Sequence, residues 1–287
     1  MSPTFLAFQL LNGITFAALL FLLASGFTLI FGLMRVVSLA HGAFYLVGGY
    51  IGLSAIRATG NFFIGMIVAA VAIGLLGLAI ERGLLRFVRG EELRQVLLTI
   101  GLAFIMADLS LVIWGGDPVS IPAPDFLRTS FTVGDLTYPK YRLFVVLVGA
   151  LVAAILWYLQ NKTRLGAIIR AGVDDIEMVD ALGIDIKRVF SGVFLVGAAL
   201  AGLTGVMGGA FLSLYPGADS EILLLGLVVV IIGGMGSLEG AVVGSLVVGL
   251  LDTFGKAFFP ELAYFTIFGP MAIMLALRPS GLFGRIR

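Results

Sequence analysis

The 287-residue chain has no cysteine and one histidine. Without cysteine there are no disulfide bonds and no thiolate ligands, and one histidine excludes the paired-histidine zinc motifs. Charge is also scarce, because only 12% of residues are Asp, Glu, Lys or Arg, against about 25% in soluble domains. The net charge of +1 argues against a nucleic acid partner. The composition is therefore not that of a soluble or nucleic-acid-binding protein.

Motifs for nucleotide and hydrolytic chemistry are also missing. The chain contains no Gly-x-x-x-x-Gly-Lys-Ser/Thr loop to hold phosphates and no Gly-x-Ser-x-Gly nucleophile turn. We therefore expect no enzymatic activity, no ATPase site and no metal or other cofactor in this chain itself.

The chain is rich in apolar residues, and 60% of its residues are hydrophobic. A membrane-spanning helix needs about 20 predominantly apolar residues, so the length accommodates roughly eight spans with short loops. We predict an all-α, polytopic membrane helical bundle of about eight transmembrane helices, forming a single domain over residues 1–287.

Nine apolar runs can be distinguished, and two interruptions between them are short. Residues 34–42 divide the first long apolar region, and Gly-Ser-Leu-Glu separates two later runs. Short interruptions predict broken or re-entrant segments, and they leave the number of spans at eight or nine. The runs are 9–32, 42–57, 61–80, 95–114, 143–160, 189–213, 222–236, 240–256 and 263–277.

Basic residues predict the orientation, because the cytoplasmic loops of membrane proteins carry an excess of Lys and Arg. Three segments have this excess, at about 82–94, 162–188 and 278–287. The loop 115–142, between the first two segments, has equal numbers of acidic and basic residues. We expect a multi-pass protein of the bacterial cytoplasmic (inner) membrane, with its N-terminus outside and its C-terminus in the cytoplasm. The basic residues are Arg82, Arg86, Arg89, Arg94, Lys162, Arg164, Arg170, Lys187, Arg188, Arg278, Arg285 and Arg287.

The charged loop at about 162–188 is the longest predicted cytoplasmic segment. Asp174 or Asp175 suits an N-cap and Gly183 a helix stop, which predicts a helix of two turns over 175–182. This helix is amphipathic with an acidic polar side, whereas membrane-surface helices usually have basic polar sides. Its apolar face therefore packs either on its own bundle or in a groove of a partner protein.

Two interruptions and one intramembrane carboxylate are candidates for a translocation path. Broken segments in both halves of a transporter often mark the substrate path, and an ionisable group within a span is costly. The alternatives to a role in the path are close helix packing through glycine, a structural role for the histidine, and for Asp108 either a hydrogen bond to a neighbouring helix or a position nearer the external end of its span. The candidates are Ser38, His41, Gly42, Asp108, Gly233, Gly234, Gly236 and Ser237.

Several short motifs occur in a specific order along nearly the whole chain. They are Ser38-Leu-Ala-His-Gly42, Leu98-Thr-Ile-Gly101, Gly116-Asp-Pro118, Arg170-Ala171, Ala181-Leu-Gly-Ile184, Gly233-Gly-Met-Gly-Ser237, Gly240-Ala241 and Arg278-Pro-Ser-Gly-Leu-Phe283. In this order the sequence resembles the branched-chain amino acid ABC transporter permeases, specifically the Liv-type H subunit. Asp108 departs from that family's pattern, which has neutral amides at this place.

The resemblance implies an importer built from two permeases, two ATPases that bind ATP and Mg, and an external solute-binding protein. The second permease is expected to be homologous but distinct, with a homodimer as the alternative, and the cargo to be branched-chain amino acids or related small polar solutes. The Ala-Leu-Gly loop resembles the coupling helix that docks on the ATPase. The implied coupling residues are Arg170, Ala171, Asp175, Ile176, Met178, Val179, Ala181, Leu182 and Gly183.

Two other functions are compatible with the residues alone. One is an ion-coupled secondary transporter, in which Asp108 or Asp252 carries the coupling charge. The other is a passive channel for a small solute such as urea, with the glycine-rich breaks as its constriction.

Overall fold

A computed structural model describes residues 3–34, 38–88, 90–133, 136–174 and 176–284. It is a bundle of α-helices with one short antiparallel β-hairpin. The helices are α1 (Pro3–Met34), α2 (His41–Thr59), α3 (Phe62–Gly83), α4 (Glu92–Trp114), α5 (Asp125–Arg128), α6 (Lys140–Lys162), α7 (Arg164–Asp174), α8 (Ile176–Ala181), α9 (Ile186–Phe211), α10 (Ala218–Gly233), α11 (Leu238–Phe258) and α12 (Ala263–Leu277). The strands are β1 (Ser130–Val133) and β2 (Leu136–Pro139).

The expectation of an all-α polytopic bundle is confirmed. Within the described residues, seven helical segments are long and apolar enough to cross a membrane. They are α1, α3, α4, α6, α9, α11 and the segment Pro260–Leu277 that contains α12. Two further helices, α2 and α10, pack inside the bundle, and they adjoin the two predicted interruptions. The expected count of about eight lies between these seven and the total of nine.

Helix α1 forms the centre of the bundle. Its middle is apolar on every side, which is the pattern of a helix surrounded by protein. Buried residues make up 83% of its apolar stretch, against 17% for α4 and 6% for the segment containing α12. The neighbours of α1 are α6, α9, α10 and α11, while α4, α6 and α12 lie at the periphery.

Helix α9 packs against α2 with almost no side chain between the two backbones. A Cβ atom at Gly205 would overlap the carbonyl oxygen of Tyr45, and one at Gly48 would overlap Gly202. Helices that approach this closely in a membrane need residues without side chains at the contact. The close-packing alternative is therefore correct for many glycines of this chain.

The loops at one end of the bundle are joined by backbone hydrogen bonds. Val119 and Leu214 exchange two bonds of 2.8 Å each, so the loop after α4 lies beside the loop between α9 and α10. The loop that contains α7 and α8 lies at the opposite end, because α6 separates it from the hairpin. This arrangement agrees with the predicted alternation of loops, and the assignment of either end to the cytoplasm stays a prediction from charge.

Replacing Gly205 with alanine tests the α2–α9 contact. The added Cβ meets backbone atoms, so the helices must separate, at a cost of about 1–3 kcal/mol. Gly192→Ala is the matched control, because Gly192 lies on the same helix with open space around it. We expect Gly205→Ala to lower the melting temperature in detergent and Gly192→Ala to keep or raise it. Equal melting temperatures would contradict the packing described here.

Candidate coupling surface and translocation path

In its described residues, the loop 162–188 contains two helices, where the sequence predicted one. Helix α7 was missed, although Leu165, Ile168 and Ile169 recur at helical spacing. Helix α8 spans Ile176–Ala181 and is shorter than the predicted 175–182. The proposed coupling residue Asp175 lies outside the described residues, and so does the side chain of Ile176.

Gly183 ends α8, as predicted. Its φ is 78°, a left-handed conformation that glycine adopts without the strain of a Cβ atom. The amide of Gly183 donates to the carbonyl of Asp180 at 2.9 Å, and the amide of Ile184 donates to that of Val179 at 3.3 Å. These two bonds form a Schellman motif, which reverses the chain directly after the helix.

One side of α8 packs on the chain's own bundle. Val179 is buried in a small apolar cluster with Leu156 of α6 and with Ile186 and Phe190 of α9. Ile184 packs against the same cluster, which is the hydrophobic contact that usually accompanies a Schellman motif. The position of α8 is thereby fixed relative to the first turns of α9.

The other side of α8 presents apolar side chains to the surroundings. Met178 is 59% exposed and Leu182 is 71% exposed, and a spacing of four residues places them on one face. Ala181 and Gly183 are exposed as well. We call Met178, Ala181, Leu182 and Gly183 the coupling surface. Packing on the chain's own bundle therefore holds for the Val179 side of the helix, and docking of the exposed side in a groove of a partner stays a prediction.

Arg170 joins α7 to the end of α6. Its guanidinium donates a hydrogen bond to the backbone carbonyl of Gln160, in the last turn of α6. A cation at this place complements the negative end of the helix dipole. Ala171 follows it on the exposed surface. The pairing of Arg170 with an acid, in the loop or on an ATPase, stays a prediction.

The first interruption lies deep in the bundle, at the start of α2. Ser38 and His41 are fully buried, and the Nε2 atom of His41 lies 3.2 Å from the carbonyl oxygen of Leu23 on α1. A Cβ at Gly42 would overlap the carbonyl oxygen of Asp219. The start of α2 therefore abuts the first turn of α10, which was not foreseen from the sequence. The short length of α10 and the turn at Gly217 were the available signals.

Two residues of this interruption, and one residue elsewhere on α1, have buried polar atoms without hydrogen-bond partners. Within the described part of the chain, Ser38 Oγ, His41 Nδ1 and Thr28 Oγ1 of α1 have no hydrogen-bond partner. Burying such a group without a partner costs about 1–3 kcal/mol, so most buried polar groups are bonded. At the interruption itself, Ser38 Oγ and His41 Nδ1 are therefore free to bond to a polar solute. Thr28 was not recognised in the sequence, because threonine is common in apolar helices.

The second interruption is closed by the chain's own C-terminal segment. Gly234 and Gly236 have φ values of 105° and 82°, and the hydroxyl of Ser237 accepts a 3.0 Å bond from the amide of Gly240 to cap α11. The amides of Leu282 and Phe283 donate bonds of 2.9 Å to the last carbonyls of α10, those of Ile232 and Gly233.

The candidate path residues do not form one cluster within this chain. His41 contacts α1 at Leu23, whereas Gly236 approaches α1 at Gly32, nine residues further along. At 1.5 Å per residue the two interruptions lie about 13 Å apart along α1. Among the described residues, His41 and Gly236 therefore contact α1 at different levels.

The two intramembrane carboxylates have different surroundings. Asp252 on α11 forms an ion pair with Lys256, with 2.7 Å between Oδ1 and Nζ. Asp108 on α4 is exposed and has no hydrogen bond or ion pair to any described residue of this chain. It therefore faces away from both interruptions. The alternative of a hydrogen bond to a neighbouring helix of the same chain does not hold among these residues.

Comparison with known proteins gives a family. Residues 9–277 match the model described as "Branched-chain amino acid transport system / permease component". The chain belongs to this family. The resemblance inferred from the motifs is thereby confirmed, and this permease component has the multi-span helical architecture expected of it.

Relatives of this permease span almost its full length. It is 28% identical to the high-affinity branched-chain amino acid transport system permease protein BraD of Pseudomonas aeruginosa, over 96% of this chain and 95% of the relative. It is also 28% identical to LivH of Escherichia coli K12, over 99% and 98% of the two chains. A second E. coli permease, LivM, is 26% identical over 93% of this chain and 68% of its own length. No solved structure matches the chain.

The turn at Gly183 can be tested by two substitutions of different backbone preference. Valine at φ 78° is strained by about 1–3 kcal/mol, whereas asparagine tolerates this region. We expect Gly183→Val to loosen the loop and speed trypsin cleavage after Lys187 and Arg188, and Gly183→Asn to remain close to wild type. Identical cleavage rates for the two variants would show that the turn does not hold α8.

Proposed function

We propose that this permease is the transmembrane subunit of an ABC importer for amino acids, most directly branched-chain ones, or related small polar solutes. Family membership supports transport of this class, since the named relatives belong to branched-chain amino acid systems. The observation that carries the coupling part of the proposal is the exposed apolar face of α8. The basic residues support a cytoplasmic position for this helix, with the N-terminus outside.

Two ATPase subunits are the proposed partners of the coupling surface. Met178 and Leu182 suit the helix-in-groove mode, in which an apolar helix face enters a groove of the partner. The partner subunits bind ATP and Mg, and this chain supplies neither a phosphate loop nor a catalytic group. Movement of the ATPases would then reach the membrane through α8.

The structure of the loop suits transmission of movement. Val179 and the Schellman turn fix α8 to α9, and the Asp185 side chain accepts a 3.3 Å bond from the Arg188 amide at the start of α9. Helix α9 in turn packs against α1, α2 and α3. A displacement of α8 therefore acts on the helices that surround the first interruption.

The translocation path is proposed to pass the start of α2. Ser38 and His41 supply buried polar atoms there, and the N-termini of α2 and α10 meet at Gly42 and Asp219. The N-terminus of α2, whose first turn has no acidic residue, carries partial positive charge and favours the carboxylate group of a substrate, whereas Asp219 and Glu221 occupy the first turn of α10. The second interruption is proposed to line the path at the other end of α1, where the C-terminal segment closes it. Its residues are Gly233, Gly234, Gly236 and Ser237.

Two partners complete the proposed importer. The joined loops around Val119 and Leu214 are the proposed docking end for an external solute-binding protein. A homologous but distinct permease is proposed as the second membrane subunit, supported by the similarity of this chain to both LivH and LivM of one organism.

The alternative transport mechanisms have less support from the structure. In an ion-coupled transporter, the coupling carboxylate must bind and release a proton or a sodium ion. Asp252 is instead paired with Lys256, with 2.7 Å between Oδ1 and Nζ. A passive channel needs no exposed apolar helix at the membrane surface. The coupling surface is therefore the feature that favours an ATP-driven importer.

Leu182→Ser in the assembled complex tests the coupling surface. A polar side chain cannot fill an apolar groove, and loss of an interface anchor of this kind reduces binding about tenfold or more. We expect uptake and the ATPase activity stimulated by the binding protein to fall by a similar factor in proteoliposomes. Phe87→Ser is the control, because Phe87 is 69% exposed outside the coupling loop and belongs to another basic connection.

Wild-type stimulation in Leu182→Ser would contradict the coupling role. Accumulation of solute by the isolated chain in liposomes without other proteins would contradict the importer as a whole.

Ser38→Cys tests the path in a chain that has no native cysteine. Ser38 and Thr204 are both fully buried, but the hydroxyl of Thr204 is bonded to the Leu200 carbonyl within α9. We expect a small thiosulfonate reagent to label Ser38→Cys about tenfold faster during turnover with ATP and binding protein than at rest, because alternating access opens the path. Thr204→Cys should stay unlabelled in both conditions. Equal labelling of Ser38→Cys with and without turnover would exclude Ser38 from the path.

A further inference from the structure

Helix α4 has an outer face that includes a carboxylate. Its buried residues Gln95, Thr99, Met106 and Ser110 lie on one side. Asp108 is two residues from both Met106 and Ser110, which places it on the opposite side of a helix with 3.6 residues per turn. A stripe with helical spacing of three and four residues runs along that side. This outer stripe consists of Leu97, Gly101, Phe104, Asp108 and Val112.

The outer stripe is open in the single chain. Leu97, Phe104 and Val112 are 59%, 68% and 81% exposed. No atom lies within 4 Å of the position that a Cβ of Gly101 would occupy. Helix α4 packs chiefly against α2 and the short turn Leu85–Val88, so the stripe is directed away from the bundle.

Lipid is a poor occupant for this stripe. Asp108 lies six residues before the end of α4, about 9 Å along the helix, and its side chain is too short to reach the membrane surface. An ionisable side chain at this depth almost always faces protein or water. The outer faces of α6 and α12 differ, since their exposed central residues, such as Leu147 and Ile273, are apolar. Among the described spans, α4 alone carries an exposed ionisable group away from its ends.

The occupant must be another membrane-embedded chain. A soluble ATPase or binding protein meets the bundle at its ends and cannot reach a residue at this depth. A second copy of this chain related by twofold symmetry would bring the two Asp108 carboxylates towards each other, which is unfavourable. A distinct chain can instead offer a hydroxyl, amide or basic side chain to the carboxylate. Gly101, two turns away on the same stripe, lets a helix of that chain approach closely.

We infer that the outer stripe of α4 is the surface on which the second, distinct permease subunit packs, with Asp108 bonded to a polar side chain of that subunit. This inference rests on the proposed function, which supplies the second permease. It assigns Asp108 to the contact between the two membrane subunits.

Photo-cross-linking in the assembled complex tests the position of the contact. Phe104, Leu147 and Ile273 have similar exposure, at 68%, 66% and 61%, and each is replaced in turn by a benzophenone amino acid. Illumination in native membranes should give an adduct with the second permease from position 104, and only lipid adducts from positions 147 and 273. The inference is overturned by lipid adducts alone at position 104, by permease adducts from all three positions, or by an adduct with a second copy of this chain.

Substitution of Asp108 tests the bond itself. Asp108→Leu should release the second permease on detergent extraction, with about a tenfold loss of the co-purified subunit, whereas Asp108→Asn keeps hydrogen bonding and should retain most of it. Asp117→Leu is the control, because Asp117 is an exposed acid in the loop after α4. The melting temperature of the isolated Asp108→Leu chain should not be lower than that of the wild type, because the stripe is exposed in the single chain. Wild-type retention of the second permease by Asp108→Leu would overturn the inference.

The two proposals can fail separately. A complex that retains its ATPases and hydrolyses ATP, but gives no permease adduct from position 104, contradicts the α4 contact alone. A preparation without ATPases or a second permease contradicts the proposed function.

Discussion

Every backbone amide and carbonyl within a membrane must find a partner inside the protein, because lipid offers none. This constraint governs the two places where the helices of this chain are interrupted. The carbonyls at the end of α10 are satisfied by amides of the C-terminal segment, at Leu282 and Phe283. The start of α2 is enclosed by α1 and α10, at Leu23 and Asp219. Each interruption persists because protein surrounds it, and α1 contacts both.

The same requirement explains why glycine is placed where it is. At Gly42 and Gly205 another backbone occupies the volume of a side chain, so the helices can pass within contact distance of each other. At Gly183 the reason is different, because the left-handed turn after α8 needs a residue without a Cβ atom. Close packing makes the interior of the bundle stiff. The turn at Gly183 connects this interior to α8, which has one side buried against the bundle and one side exposed. A force applied to Leu182 therefore has a direct mechanical connection to α9.

The distribution of polar groups separates the interior of the permease from its outer surface. Ser38 and His41 are enclosed at the start of α2, and we propose that they meet the solute when the bundle opens. Asp108 faces outward on the peripheral helix α4, and we propose that another membrane chain bonds to it. If the proposed second permease packs on the outer stripe, it supplies the partner that Asp108 lacks among the described residues of the single chain.

The sequence by itself determined the class, the approximate number of spans, the two interruptions and the stop at Gly183, because run length, glycine and charge act locally. It was less accurate for the loop, where α7 was missed and α8 is shorter than predicted, since short helices depend on packing for their stability. Only the tertiary structure decided that Val179 packs inward while Leu182 points out, that α2 begins against α10, and that Asp108 faces away from the bundle. These features depend on contacts between segments far apart in the chain, which no local pattern specifies.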